Sequence, residues 1–330
     1  MTHTLAVSPS FGGCSLEQSL SISQEAGDWG YEAAWVDEVV GHDAFALLAA
    51  LAVRTDLHLG VAVVPVQTRA AFVLARAALT IAELTGGRFS LGIGASSEVL
   101  VTRFAGLPWT KPLTNVREMA AALKPILAGE RSTFDGELVQ VHGFKYGLPA
   151  PMPVPLLLGS LNPKSLRLAG EVADGVCLNQ MAPKHVGKMM EEVKAGATEA
   201  GRTLPDDFPV VARLMTVVTD DVPAATTMLK HNFAPYAATT GYNRFFRWLG
   251  YTQEADGIAA AAERGDKQAM VDAYSDRMAH DVLIIGDEDH VASRVREYFD
   301  SGVTVAAIEP LAPGPDEVRR TLRAAARALA

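Results

Sequence analysis

Short apolar runs alternate with helical stretches along almost the whole chain, and this alternation is what most constrains the fold. Eight runs predict β-strands, at residues 5–9, 34–37, 57–65, 88–94, 154–159, 175–179, 209–218 and 303–309. Helical periodicity lies between most of them, as in 15–29, where Leu16, Leu20 and Ala26 share one face. Such alternation implies parallel strands joined by right-handed crossovers.

Eight strands, each followed by a helix, predict a closed (β/α)₈ or TIM barrel. An open doubly wound sheet is the alternative, but it usually has a glycine-rich first turn, and residues 8–13 do not form G-x-G-x-x-G. A length of 330 residues is ordinary for one barrel. We therefore expect a single domain over 1–330.

Two segments interrupt the alternation and predict insertions, at about 130–150 and 233–285. The first carries an Asp135-Gly136 turn between stretches of alternating polarity, which predicts a hairpin. The second is too long for a loop and is rich in aromatic residues and helix formers. It predicts extra helices before the last strand.

Composition excludes several classes of partner. The formal net charge is −9 without a basic tract, so nucleic acid and anionic membranes are poor candidates. Two distant cysteines, Cys14 and Cys177, make no disulfide framework and favour a reducing cytoplasm. The N-terminus has no signal-peptide pattern, and the longest apolar run, 44–53, is too short to span a bilayer. We expect a soluble cytoplasmic protein.

Candidate binding residues follow the predicted strands, since the chemistry of α/β barrels lies at the strand C-termini. The stretch 86–100, GGRFSLGIGASSEVL, is a strand that ends in small hydrogen-bonding residues. Within 154–164, a predicted strand ends at Gly159-Ser160 and leads into a helix. The N-terminus of this helix, with Lys164 beside it, suits a phosphate. Asn179 ends the next strand at the same mouth.

These segments together resemble the luciferase-like monooxygenase superfamily, in its branch that uses the deazaflavin coenzyme F420. The resemblance covers nearly the whole chain and rests on the order and spacing of short matches. They are Trp35-Val36-Asp37-Glu38, Gly41-His42-Asp43-Ala44-Phe45, LGVAVVP at 59–65, GGRFSLGIGASSEVL, Pro108-Trp109 with Lys111-Pro112-Leu113, and LLLGSLNPKSLRLAGEVADGV.

The resemblance implies a TIM barrel that holds a deazaflavin at its strand C-termini and transfers hydride at C5. It implies a bulged third strand with a non-prolyl cis peptide, which we place at Ala62–Val63. The implied cofactor-binding residues are Glu38, Ala62, Val63, Gly94, Ala95, Ser96, Ser97, Gly159, Ser160, Lys164 and Asn179. It also implies a homodimer, by analogy with relatives.

Two departures from the family pattern bear on the reaction. Val39 stands where members that oxidise alcohols or sugar phosphates carry His, and Ser97 stands where some carry Glu. Without these bases a reductase is favoured, with water, Glu38, Tyr236 or the substrate as proton donor. An FMN-dependent monooxygenase and a non-catalytic cofactor-binding relative remain alternatives.

Other suggestive motifs have simpler interpretations. Asp287-Glu288-Asp289-His290 could be a metal cluster, but its position after Gly286 favours a helix cap, and no metal site is predicted. The aromatic and basic segment 242–248 suits either a lid over the substrate pocket or an ordinary packed helix. Cys177 lies in mid-strand and is expected to be an inert core residue.

Overall fold

The computed structural model describes residues 3–149 and 152–329, and these form eleven strands and thirteen α-helices. The strands are β1 (Thr4–Val7), β2 (Ala33–Val36), β3 (His58–Pro65), β4 (Phe89–Gly94), β5 (Ser132–Asp135), β6 (Gln140–Phe144), β7 (Leu156–Gly159), β8 (Gly175–Asn179), β9 (Val210–Val218), β10 (Ile284–Gly286) and β11 (Val305–Pro310). The helices are α1 (Leu16–Asp28), α2 (Ala44–Ala52), α3 (Ala71–Leu84), α4 (Pro112–Leu127), α5 (Pro163–Val172), α6 (Pro183–Glu199), α7 (Val222–Ala237), α8 (Thr240–Leu249), α9 (Thr252–Glu263), α10 (Lys267–Ala273), α11 (Asp276–Val282), α12 (Glu288–Asp300) and α13 (Pro315–Ala326).

Eight parallel strands close into a barrel, which confirms the predicted fold. Around the ring the order is β9, β11, β1, β2, β3, β4, β7 and β8, and each neighbouring pair is parallel. Pairing of β8 with β9, in which Cys177 lies opposite Val211, closes the circle. Each of the eight predicted strands overlaps one strand of this ring.

Side chains alternate between the barrel interior and the surrounding helices, as the period of two requires. A small buried cluster fills the interior: Ala6, Ala33, Trp35, Leu157, Cys177, Val211 and Ala307. Trp35 takes the space that a Cβ at Gly60 would need, since that atom would lie 2.5 Å from the indole. Large aliphatic residues of the opposite parity, such as Leu5 and Val7, pack against the helices instead.

The predicted hairpin is present between α4 and β7. Strands β5 and β6 pair antiparallel, with Phe134 opposite Val141. The Glu118 carboxylate of α4 accepts backbone N–H groups of the turn, at 2.7 Å from Leu138 and 3.0 Å from Val139. Residue 150, the end of the predicted insertion, lies outside the described residues.

Helices α7 to α11 lie between β9 and β10, and the second predicted insertion, 233–285, begins inside α7. It is anchored on α6, where Lys188 Nζ donates to the Trp248 carbonyl at 2.6 Å and Lys184 pairs with Asp281 at 2.7 Å. Strand β10 was not among the predicted strands. Within the described part of the chain, β10 pairs with the last three residues of β9 and is not part of the ring. Three residues after a helix are too few to stand out in the sequence as a strand.

Candidate active site at the barrel mouth

The alternation that fills the interior also decides which residues face the barrel mouth. Trp35, Val211 and Ala307 point inward, so Asp37, Arg213 and Glu309, each two residues further on, point the same way at the strand C-termini. An ion pair between Arg213 and Asp37 confirms this. Because β11 and β1 separate β9 from β2 in the ring, the two side chains meet across the interior.

One half of the mouth is built from small residues on β3, β4 and β7. The Ala62–Val63 peptide bond is cis, and the pairing of β3 with β4 shifts register between Val61 and Val64, so the predicted cis bond and bulge are both present. Val63 lies between Gly94 and Gly159, where a Cβ would come within 2.6 Å and 2.9 Å of its methyl groups. We call Val63, Gly94 and Gly159 the glycine platform.

The loop after β4 continues from the glycine platform. Ala95 is half-buried and Ser96 is exposed with φ +63°, a left-handed conformation that non-glycine residues seldom adopt. The Ser97 hydroxyl accepts the Leu100 N–H at 3.3 Å, where a short π-helical turn begins. The structure thus places the predicted residues Ala95, Ser96 and Ser97 at one edge of the mouth, with Ser97 partly used as a cap.

The loop between β7 and α5 holds the predicted phosphate residues. Lys164 is exposed in the first turn of α5. Ser160 is buried, its N–H donates to the Cys177 carbonyl at 3.0 Å, and its hydroxyl donates to the Ser165 carbonyl at 2.9 Å. The backbone N–H and the hydroxyl of Ser160 were expected to face a ligand, but both form hydrogen bonds within the protein that hold the loop in place.

Glu38 lies in the loop after β2 within a network that the sequence did not predict. Arg69 pairs with Glu38 and, at 2.6 Å, with Asp43. The second oxygen of Glu38 accepts the Ala44 N–H at 3.4 Å, and the Arg69 guanidinium lies 5.4 Å from the centre of the Phe45 ring. Both oxygens of Glu38 thus have donors within the protein, which holds this carboxylate in place.

The other half of the mouth is charged. Arg213 donates from Nη2 to Glu309 at 2.7 Å, pairs with Glu309 again through Nε, and lies 3.3 Å from Asp37. We call these three residues the acid–arginine triad. Burial raises the pKa of Glu309, Arg213 opposes that rise, and the nearby Asp37 adds to it. Burial alone would lower the pKa of Arg213, but its two carboxylates raise it.

Asn179 connects the triad to the helical insertion. It lies opposite Arg213 in the pairing of β8 with β9, and its Nδ2 donates to the Tyr242 hydroxyl at 3.0 Å. Burial raises the pKa of Tyr242. Tyr236, the predicted proton donor, is 42% exposed and packs edge-on against Tyr242, with ring centres 6.1 Å apart. Tyr242 therefore lies at the mouth beside the acid–arginine triad.

Sequence reasoning missed Arg213 and Arg69. Arg213 lies inside a predicted strand, where a charged residue among valines is the available signal. Counting two residues on from the inward Val211 would have placed it at the mouth. Arg69 lies in the loop after β3, and no local pattern connects it to Glu38.

The Asp287–His290 segment forms a helix cap. Asp287 caps α12, accepting the His290 N–H at 2.8 Å, as the capping interpretation predicts. Within residues 3–149 and 152–329, no group of three or more His, Cys, Asp or Glu side chains could hold a metal ion. Over the same residues, no helix has the length and apolar character needed to cross a membrane.

Comparison with known proteins decides the family. The sequence model described as luciferase-like monooxygenase matches residues 4–305. The chain belongs to this family. A 5,10-methylenetetrahydromethanopterin reductase from Methanolobus tindarius is 31% identical over 293 residues, covering 87% of this chain and 89% of the relative.

Solved structures show the same fold. The coenzyme F420-dependent tetrahydromethanopterin reductase from Methanopyrus kandleri superposes with a TM-score of 0.80 at 23% identity, covering 99% of this chain and 98% of that one. An F420-dependent secondary alcohol dehydrogenase in complex with an F420–acetone adduct also gives 0.80, at 15% identity and 98% coverage of both chains. The family resemblance and the TIM barrel predicted from the sequence are thereby confirmed.

Proposed function

We propose that this protein is an F420-dependent oxidoreductase that transfers a hydride between the deazaflavin and a small organic substrate, in the direction of substrate reduction. The glycine platform is the observation that carries this proposal. Gly94 and Gly159 leave room for the Val63 side chain, whose methyl groups fill the space that a Cβ at either position would need, so the three residues form one apolar surface against which a flat tricyclic ring can pack. The family relatives that are named as F420-dependent support the choice of ring.

The residues around the platform fit such a cofactor. Ala62 and Val63 would lie behind the ring, while Gly94, Ala95 and Ser96 would border it. The exposed Lys164 and the start of α5 would meet the phosphate of its tail, with Gly159 between ring and tail. Ser97, Ser160 and Glu38 would support these contacts, since their polar groups are engaged within the protein. When bound, the reduced deazaflavin supplies the hydride.

We infer the direction of reduction from two positions. By the family resemblance, Val39 and Ser97 stand where oxidising members carry His and Glu, and two carboxylates that the mouth does hold, Asp37 and Glu309, are paired with Arg213. Oxidation of an alcohol needs a base that takes the hydroxyl proton, whereas reduction of a substrate needs a proton donor. Water, the substrate itself or Tyr236 can be that donor. Glu38 is the weaker candidate, because Arg69 and the Ala44 N–H already hold its two oxygens.

Titration with F420 and FMN, followed by fluorescence, tests the cofactor. We expect F420 to bind more tightly than FMN and reduced F420 to be oxidised by an unsaturated or carbonyl substrate in a panel. Tighter FMN binding with oxygen consumption by reduced FMN would favour the monooxygenase alternative. Tight F420 binding without turnover over the panel would favour a non-catalytic relative. Light scattering would test the expected homodimer.

A further inference from the structure

The half of the mouth that holds the acid–arginine triad offers more hydrogen-bond acceptors than donors. Four buried oxygens there have no hydrogen-bond partner among the described residues: Asp37 Oδ1, Asn179 Oδ1, Gln180 Oε1 and Glu309 Oε2. Two buried nitrogens also lack one, Trp35 Nε1 and Arg213 Nε, and Arg213 Nε forms an ion pair with Glu309 Oε2, so three acceptors remain against one donor. Gln180 is 3% exposed and has φ +50°, so the chain keeps a buried amide in a left-handed conformation at this point. Folded proteins seldom leave buried acceptors without donors, so a ligand that brings donors would complete this region.

The charge of the triad points to the same kind of ligand. Two carboxylates share one guanidinium, so the three groups carry a formal charge of −1 when ionised. Arg213 directs Nε and Nη2 at Glu309 and also reaches Asp37 at 3.3 Å, so it is already engaged on both sides. An anion placed here would meet a net negative charge and a guanidinium that is already paired.

The triad is accessible from the mouth. The side chains of Asp37, Glu309 and Arg213 are 12%, 13% and 22% exposed, which is low enough to strengthen polar contacts but leaves a surface to touch. Tyr242 covers one side through its hydrogen bond with Asn179. The glycine platform lies on β3, β4 and β7 of the same ring, so a molecule on the triad would lie beside the proposed cofactor.

We propose that the triad half is the substrate subsite, and that it takes a polar group that donates hydrogen bonds and is neutral or cationic, such as an amidine, an amine or an amide N–H. Substrates that present a carboxylate or a phosphate at this point are rejected. The inference deepens the proposed function and rests on it in taking the mouth as the place of reaction. It assigns to Asp37 and Glu309 the choice of substrate.

Three flat probes of nearly equal shape test the charge preference: benzamidine, a cation with N–H donors, neutral benzamide, and the anion benzoate. Their dissociation constants would be measured by calorimetry on the full-length protein, with and without F420. We expect benzamidine to bind about tenfold more tightly than benzamide, and benzoate to bind weakest, because a hydrogen bond to a charged group is the stronger one. Benzoate binding as tightly as benzamidine, or no binding of benzamidine, would overturn the proposal.

Asp37→Asn locates the preference. The substitution keeps the shape and removes one negative charge, so benzamidine should lose about tenfold in affinity while benzamide changes by less than about twofold. Asp56→Asn makes the same charge change before β3, at the far end of the barrel, on a fully exposed side chain, and should leave all three affinities unchanged. If Asp56→Asn alters them as Asp37→Asn does, the effect is one of net charge and the proposal fails.

Two further measurements complete the test. Glu309→Gln should lower the affinity for benzamidine as Asp37→Asn does. If Asp37→Asn does not give a cooperative thermal transition, and so does not fold, Glu309→Gln takes its place in the test. An unchanged preference in the folded variant would overturn the proposal. Probe binding to the cofactor-free protein separates this test from the cofactor test, because F420 can fail to bind while the order of the three probes still stands.

Discussion

The two halves of the barrel mouth are built on opposite principles. On β3, β4 and β7 the positions at the mouth carry glycine and small apolar residues, and Val63 fills the space between Gly94 and Gly159, so this surface is apolar and uncharged. On β8, β9, β11 and β2 they carry Asn179, Arg213, Glu309 and Asp37, which are fixed by side-chain ion pairs. The first half can only select for shape, whereas the second can select for charge and hydrogen bonding. Within one ring of strands, the half with the glycine platform is suited to hold a flat molecule and the half with the acid–arginine triad to recognise a polar one.

Removal of the triad's cation should produce the largest effect. Arg213→Met leaves two buried carboxylates without a partner, and breaking such a network typically costs about 3–5 kcal/mol of unfolding free energy. Urea unfolding would measure the loss. The triple variant with Asp37→Asn and Glu309→Gln should recover most of it, because no charge is then buried. A single variant as stable as the parent protein would show that the triad does not hold its half of the mouth together.

A methyl group on the platform should mainly affect cofactor binding. In Gly94→Ala the new Cβ would lie 2.6 Å from a methyl of Val63, which has little rotamer freedom, so Val63 must leave its position in the glycine platform. We expect F420 affinity to fall by about tenfold or more, a loss of roughly 1.4 kcal/mol. Val63→Ala in the same chain should restore it.

Gly187→Ala is the matched control for this substitution. It adds the same methyl to an exposed position of α6 that has no atom within 4 Å, so F420 affinity should not change. Fluorescence titration would measure all three variants. If Gly94→Ala and Gly187→Ala lowered F420 affinity equally, the glycine platform would not be part of the cofactor site.

The triad should also give its half a distinct dependence on pH. Burial raises the pKa of Glu309 above its ordinary value, so the folded protein holds this proton at pH values where the unfolded chain has released it. Stability from this group is therefore present at low pH and is lost as the pH rises through the folded-state pKa. Glu309→Gln removes the dependence. The melting temperature of Glu309→Gln minus that of the parent should increase as the pH rises above the ordinary glutamate pKa of about 4.3, and a constant difference would contradict the assignment.

The smallest effect concerns the tyrosines over the triad. Tyr242→Phe deprives Asn179 Nδ2 of its acceptor and should cost about 1 kcal/mol of unfolding free energy. Tyr236→Phe alters a side chain that is 42% exposed and should leave stability unchanged. If Tyr236 donates the proton, that variant should instead lower turnover while F420 affinity stays the same. Unfolding curves and steady-state rates of both variants would separate the two roles.

The sequence predicted the two halves unequally, and the reason is physical. The glycine platform lies in stretches where local pattern and family resemblance agree, so Gly94, Gly159 and the Ala62–Val63 bond could be located in advance. The triad depends on closure of the ring, which brings Asp37, the residue after β2, to Arg213 of β9 across two intervening strands. No local spacing encodes such a contact. Strand β10 was missed for a similar reason. Its three residues are extended because they pair with β9, and three residues are too few to carry a strand signal of their own.

Strand β9 has a further consequence for how this protein can adapt to a ligand. It pairs with β8 along its first residues, with β11 through its middle and with β10 at its last three, so three neighbours specify its register. A slip of one residue would turn Arg213 away from the mouth and would break all three sets of hydrogen bonds together. The guanidinium is therefore preorganised by the backbone before any ligand arrives. Little ordering entropy remains to be lost at that point when a substrate binds, and adaptation is left to the helices that follow β9.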